Sequence, residues 1–190
     1  MPISDARRWD IRYQDDPRYD TFNRPRPFLV DHAHLLPESG LALDAAMGLG
    51  GNAGFLLEHG LRVLGLDISM VALRKAKHHY PGLMVVNADL TCFELPSACF
   101  DVILNFYYLQ RELWPAYRRW LRPGGLMILE TLTQDMLDVR PDTDPLYLLA
   151  PGELRQAFAS WEILDYQEGW AKGRTQHPRA VASMAARKPE

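Results

Sequence analysis

Short runs of almost unbroken apolar residues constrain this chain more than any other feature. They fall at 41–43, 63–66, 84–86, 102–104 and 126–129. Runs this brief and this apolar suit parallel strands whose sheet is covered on both faces. Segments with helical period separate them. After Ser69, suited to an N-cap, the residues Met70, Leu73, Ala76 and Tyr80 follow one face until Pro81-Gly82 stops the helix. A second stripe, Leu113, Ala116, Tyr117, Trp120 and Leu121, ends at Pro123-Gly124-Gly125. Pro115 is tolerated there only within the first turn. Strands alternating with helices imply right-handed βαβ crossovers and an open, doubly wound α/β sheet.

The chain ends read differently. Residues 6–13 and 27–36 are expected as two helices, a lid or brace formed by residues 1–39 ahead of a core at 40–187. Near the other end, Pro151-Gly152-Glu153 opens a short helix carrying Leu154, Ala157 and Phe158. Strand candidates at 161–168 and 180–187 follow with no helix between them, so they are expected to pair as an antiparallel hairpin at the sheet edge. No repeat or linker divides the 190 residues, which suit a single domain.

Charge and composition exclude several function classes. A formal net charge of −3 argues against a general nucleic-acid binder, which needs a basic face to displace counterions. Arg118, Arg119 and Arg122 read as a solvated helix face. Cys92 and Cys99 stand in no metal or redox spacing and suit a reducing cytosol. Neither a signal peptide nor a membrane span is legible, so a cytoplasmic protein with no membrane partner is expected.

The chemistry concentrates in Leu43-Asp44-Ala45-Ala46-Met47-Gly48-Leu49-Gly50-Gly51-Asn52-Ala53, a strand running into a glycine-rich turn and a helix. Gly48 and Gly50 let the chain turn tightly and let a ligand approach the backbone. The spacing also satisfies the dinucleotide pattern Gly-x-Gly-x-x-Ala, although such a turn also serves as a plain connector. Asp67 follows the second run, where a carboxylate can accept from both hydroxyls of a ribose or simply cap the next helix. The third run ends in Asn87-Ala88-Asp89-Leu90, which offers a carboxylate and backbone amides to an adenine edge. Three strand ends thus deliver suitable groups to one crevice.

With these pieces in this order, the chain resembles a class I S-adenosylmethionine-dependent methyltransferase over roughly residues 40–187. That family's first motif reads Asp-x-Gly-x-Gly-x-Gly, and here it is Asp44-Ala45-Ala46-Met47-Gly48-Leu49-Gly50, with Ala46 in place of the first glycine. Phe100-Asp101-Val102-Ile103-Leu104-Asn105 resembles the family's fourth strand, and Leu121-Arg122-Pro123-Gly124-Gly125-Leu126 the entry to its fifth. The resemblance implies a mostly parallel seven-stranded Rossmann-like sheet with an antiparallel seventh strand beside the fifth. It implies S-adenosylmethionine as cofactor, converted to S-adenosylhomocysteine. Asp44 would meet the methionine ammonium, while Ala46, Gly48 and Gly50 would pass beside the cofactor. Asp67 would hold the ribose, Ile68 would also touch the cofactor, and Ala88, Asp89 and Leu90 would border the adenine. More narrowly, Asn105-Phe106-Tyr107-Tyr108-Leu109-Gln110-Arg111 and Trp9-Asp10-Ile11-Arg12-Tyr13 resemble small-molecule methyltransferases of the tellurite-resistance group.

Methyl transfer from a sulfonium is an in-line displacement that needs alignment and exclusion of water rather than a metal or a nucleophilic serine. By analogy with the family's fourth strand end, Asn105, Tyr107 and Tyr108 are the candidate transfer-pocket residues, Asn105 also touching the cofactor. Trp9, Arg12, Tyr13 and Arg26 are candidates for a lid, an arginine meeting the cofactor carboxylate. His32 and His34, two apart on the expected helix, share no face, and His78 and His79 suit a helix end; no metal site is expected. His177 is a candidate base from a loop. The expected partner is a small-molecule methyl acceptor, with no nucleic acid. A protein that binds the cofactor without turnover, or a nicotinamide-dependent oxidoreductase sharing the glycine turn, are the alternative functions.

Overall fold

The computed structural model describes residues 2–16, 23–171 and 178–190. The apolar runs become β1 (Leu41–Ala45), β2 (Arg62–Asp67), β3 (Met84–Asn87), β4 (Phe100–Phe106) and β5 (Leu121–Leu132). These pair in parallel, and β7 (Ala180–Arg187) lies antiparallel to both β5 and β6 (Glu162–Trp170). Among the described residues the sheet is seven-stranded, in the order β3-β2-β1-β4-β5-β7-β6. The expected hairpin is present, and its second strand is the one inserted beside β5.

The middles of the central strands are apolar because both of their faces are covered. Along β4 and β5 the side chains alternate: Ile103, Met127 and Leu129 pack on one side with Tyr117, Trp120 and Phe158. Val102, Leu104, Leu126 and Ile128 pack on the other with Phe28, Leu56 and Leu73. Toward the edges this cover thins, and β3 and β6 are only partly buried.

The helices follow their local signals. α1 spans Pro2–Asp15 and α3 spans Gly51–Glu58. α4 (Met70–His79) starts at Ser69, whose side chain accepts from the Ala72 amide at 3.1 Å, and ends on Lys77, His78 and His79. α5 (Trp114–Trp120) has Pro115 in its first turn. α6 (Glu153–Ala157) follows Gly152.

Four local expectations are corrected. The helix expected over 27–36 breaks: α2 covers Pro27–Asp31 and a 3-10 turn covers Ala33–Leu35. The break turns His32 inward, where Nδ1 lies 2.8 Å from the Phe28 carbonyl and Nε2 lies 3.0 Å from Asp165 on β6. His32 and His34, read as facing apart, instead stack with ring centroids 6.0 Å apart. The stripe expected to reach Pro123 stops at Trp120, because Leu121 already pairs with Phe100; Arg122 to Gly125 bulge out before pairing resumes at Val102 and Leu126. The three arginines of this region form no common face. Arg118 stacks on Phe158 at 4.6 Å, Arg119 pairs with Glu94 and Arg122 with Asp101.

No helix among the described residues is long and apolar enough to cross a membrane.

Candidate cofactor and acceptor site

Sheet growth reverses between β1 and β4, and an open α/β sheet has its crevice at such a point, beyond the carboxyl ends of the strands. A cavity of about 680 Å³ lies there, a size usual for small-molecule sites. Asp44, Ala46, Met47, Gly48 and Leu49 line it from the end of β1 onward, Asp67 and Ile68 from the end of β2, and Ala88, Asp89 and Leu90 after β3. Tyr107 and Tyr108 line it after β4, and α1 adds Asp5, Arg8, Trp9, Arg12 and Tyr13.

The turn needs its glycines for two different reasons. Gly48 has φ +57°, and a Cβ there would lie 2.6 Å from the Tyr13 hydroxyl. Gly51 has ordinary backbone, but a Cβ would meet the Arg24 carbonyl oxygen at 2.5 Å. Ala46 also takes positive φ, +55°, so the residue that replaces the family's glycine keeps the glycine-like conformation at a steric cost.

Two acids define one end of the cavity. Asp67 is almost buried, its Oδ2 accepting from the Gly48 amide at 2.7 Å and its Oδ1 from the Ser69 amide at 2.8 Å. Burial nevertheless outweighs those amides and pushes it up to about 6. Asp44 is 1% exposed, and its Oδ2 has no hydrogen-bond partner. Burial first, then the nearby Asp67, push it up to about 8, against the Ala53 amide and Arg26. A buried acid with an unpartnered oxygen is a site prepared for a cation or a donor.

Tyr107 and Tyr108 diverge. Tyr107 has φ +60°, with its amide donating to the Glu130 carbonyl at 2.7 Å. The guanidinium groups of Arg26 and Arg179 lie 4.6 Å and 5.1 Å from its ring centre. Burial and the Glu130 carboxylate, to which its side chain is hydrogen-bonded, push Tyr107 up to about 12. Tyr108 is also pushed up to about 12, by burial and then by Asp89, Asp67 and Asp5. It therefore faces the nucleoside end suggested by Asp67, and Tyr107 the opposite, arginine-rich end.

Asn105, expected in the transfer pocket and beside the cofactor, does not line the cavity. It is 2% exposed, and its Nδ2 donates to the Tyr117 hydroxyl on α5 at 2.6 Å. Gly50 also stays behind the lining, as the left-handed residue that starts α3. The candidate base His177 lies outside the described residues.

The lid candidates sit against the site. Asp10 accepts from the Ser69 hydroxyl at 2.6 Å and the Val71 amide at 3.0 Å, fastening α1 to the start of α4. Arg12 stacks on Trp9 at 4.8 Å, and the Arg26 amide donates to Asn52 Oδ1 at 2.9 Å.

Sequence reasoning missed Asn52, Thr131, Arg140, Tyr147 and Arg179, all on the cavity wall. Arg140 and Tyr147 belong to the segment after β5, which has no periodicity to read. Arg179 precedes β7 with no motif around it.

The lining fits S-adenosylmethionine. The unpartnered Asp44 oxygen suits an ammonium, Asp67 suits ribose hydroxyls, and the backbone at Gly48 carries no side chain to obstruct it.

Comparison with known proteins agrees. Residues 42–125 match the model of a methyltransferase domain. Over 162 residues the chain is 30% identical to the malonyl-[acyl-carrier protein] O-methyltransferase of Enterobacter lignolyticus, covering 76% of this chain and 58% of that one. It is 32% identical over 94 residues to the phthiotriol/phenolphthiotriol dimycocerosates methyltransferase of Mycobacterium tuberculosis, covering 44% of this chain and 34% of that one. The chain thus spans little more than half of the first relative and about a third of the second. Among solved structures, one described for the conversion of a disulfide bond into a thioacetal group during echinomycin biosynthesis superimposes with a TM-score of 0.76 at 21% identity, covering 97% of this chain and 93% of that one. TehB from Haemophilus influenzae gives 0.73 at 19%, covering 92% and 66%. The sequence likeness, centred on residues 42–125, and the fold likeness over nearly the whole chain both support a class I S-adenosylmethionine-dependent methyltransferase.

Proposed function

We propose that this protein transfers a methyl group from S-adenosylmethionine to a small-molecule acceptor by in-line displacement. The observation that carries this reading is the placement of the half-satisfied Asp44 and of Asp67 in the same cavity as the Tyr107 wall. The cofactor, when bound, supplies a methyl group already activated by its positive sulfur.

The chain's own residues have simpler tasks. Asp44 holds the ammonium and Asp67 the ribose, so the nucleoside and amino-acid ends are fixed apart. Arg26, close to both Asp44 and Tyr107, meets the cofactor carboxylate. Tyr108 covers the nucleoside side, and Tyr107 stands where the acceptor enters. Asn105 acts as a positioning residue, binding α5 to the end of β4 from behind. α1 covers the cavity and excludes water.

Calorimetric titration with S-adenosylmethionine, S-adenosylhomocysteine and NAD tests the cofactor, and release of S-adenosylhomocysteine with an acceptor panel tests turnover. Binding of both adenosyl ligands without NAD is expected. Binding of NAD alone would replace this reading with a nicotinamide enzyme. The added methyl at Ala46, which lines the cavity, favours the second reading of a cofactor-binding protein without turnover, and absence of product across the panel would support it.

A further inference from the structure

The cavity has a second charged end that the cofactor does not account for. Arg140 and Arg179 line it together with Thr131, Leu132 and Tyr147. Among the described residues neither guanidinium has a hydrogen bond or ion pair; Arg179 has only the Tyr107 ring. The nearby Glu130 carboxylate is already committed, accepting from Ser183 Oγ at 2.8 Å and bonded to Tyr107. Arg179 in turn disfavours the charge of Arg26. Like charges crowded at one end of a cavity are relieved by an anion.

Exposed apolar side chains stand next to these lining residues along the chain. Val139, Leu146 and Tyr147 are 48%, 72% and 56% exposed, all within the segment that leads from β5 to α6. Trp170, 42% exposed, pairs in register with Ala180, the residue after Arg179. Each of them is a cavity-lining residue, or adjoins one or its immediate neighbour in sequence or register, and exposed apolar side chains beside a cavity suit an apolar ligand body. The segment is also held in place. Arg111 donates to the carbonyls of Leu146 and Leu148, both at 2.9 Å, and Thr133 bridges to Leu149.

We infer that the acceptor is an amphipathic carboxylate, its charge held by Arg140 and Arg179 and its apolar body lying over Val139, Leu146 and Tyr147. This rests on the reading that the other end of the same cavity takes S-adenosylmethionine. A neutral apolar acceptor would leave two guanidiniums to be covered without a partner, and a bare inorganic anion would leave the neighbouring apolar side chains without a use.

The test uses the full chain saturated with S-adenosylhomocysteine, titrated with decanoate, decanol and inorganic phosphate. Decanoate is expected to bind about tenfold or more tightly than decanol. Affinity should rise about two- to fourfold per methylene from hexanoate to decanoate. Arg140→Gln, at an exposed side chain, and Arg179→Gln should each cost decanoate about tenfold while affinity for S-adenosylhomocysteine holds. Equal binding of decanol and decanoate overturns the inference, as does phosphate binding as tightly as decanoate, or indifference of decanoate to both substitutions. Failure of the unsubstituted chain to bind S-adenosylhomocysteine overturns the methyltransferase reading and this inference with it. Binding of that ligand without any preference for the carboxylate overturns this inference alone.

Discussion

The carboxylate of Asp67 accepts a hydrogen bond from the amide of Gly48 at 2.7 Å, tying the end of the second strand to the glycine turn that follows the first. The pair are 19 residues apart in sequence. Their bond makes this end of the cavity a single unit, so a change at either residue reaches both strand ends.

Replacing Asp67 is therefore expected to damage binding more than folding. Asp67→Asn keeps the shape but turns one acceptor oxygen into a donor and removes the charge. Affinity for S-adenosylhomocysteine should fall about 100-fold, the worth of two charge-assisted hydrogen bonds, as measured by calorimetry. An unchanged affinity would place the ribose elsewhere.

Stability should depend on pH through Asp44 and Asp67. Burial raises them from 3.8 to about 8 and about 6. Between the unfolded and folded values the folded chain holds protons that the unfolded chain has released, so stability falls as pH rises from about 4 toward 8. Asp44→Asn removes its share. Melting curves should flatten with pH, and the variant should gain about 1–3 kcal/mol at pH 8. Melting curves parallel to the parent's would show that Asp44 ionises without penalty.

The same carboxyl group predicts proton release. An ammonium beside Asp44 favours its charged form, so binding of S-adenosylmethionine at pH 7 should release a proton. Titration in buffers of different ionisation enthalpy measures this directly. A buffer-independent heat would remove the ammonium from Asp44.

Ala46 at φ +55° predicts a gain from glycine. Relief of left-handed strain, offset by the extra freedom of glycine in the unfolded chain, should leave Ala46→Gly more stable by about 0.5–1 kcal/mol. Urea denaturation reads this. A loss of stability would mean that the Ala46 methyl packs better than its backbone suffers.

Arg111 should act at a distance on the acceptor end. It pairs with Glu153, and its bonds to the Leu146 and Leu148 carbonyls hold the segment bearing Tyr147. Arg111→Ala should cost about 1–3 kcal/mol and raise hydrogen exchange at residues 146–150. The KM for acceptor should rise more than the affinity for S-adenosylhomocysteine falls. Exchange unchanged in that segment would show it held by Thr133 and Leu149 alone.

The sheet was legible because its evidence is local. A strand covered on both faces is apolar along its middle, as β1, β4 and β5 are at 41–43, 102–104 and 126–129. Positions 180–187 could be read as a strand to the residue. The α2 region could not: residues 27–36 carry a helical pattern, but His32 is drawn out of it by the Phe28 carbonyl and by Asp165, more than a hundred residues away. The Leu121 boundary was misjudged for a related reason, since pairing with Phe100 overrides a helical stripe.

The cavity lining beyond β1, β2 and β3 followed from sequence because each of its acids stands at or just past the carboxyl end of a strand, and parallel strands bring those ends together. Asp44, Asp67 and Asp89 needed only that rule. Tertiary structure alone decided the other end. Asn105, inside β4, turned to Tyr117, whereas Tyr107 sits just past the strand at φ +60°, where the alternation that would have put it on the face of Asn105 no longer holds, and it lines the cavity. Arg140, Tyr147 and Arg179 joined the cavity from irregular segments, where no periodicity ties residue type to direction. The sequence by itself determined the scaffold and the cofactor side, since backbone hydrogen bonding and burial repeat along the chain. Which charges line the other end of the cavity was decided in irregular segments, and those have no period to read.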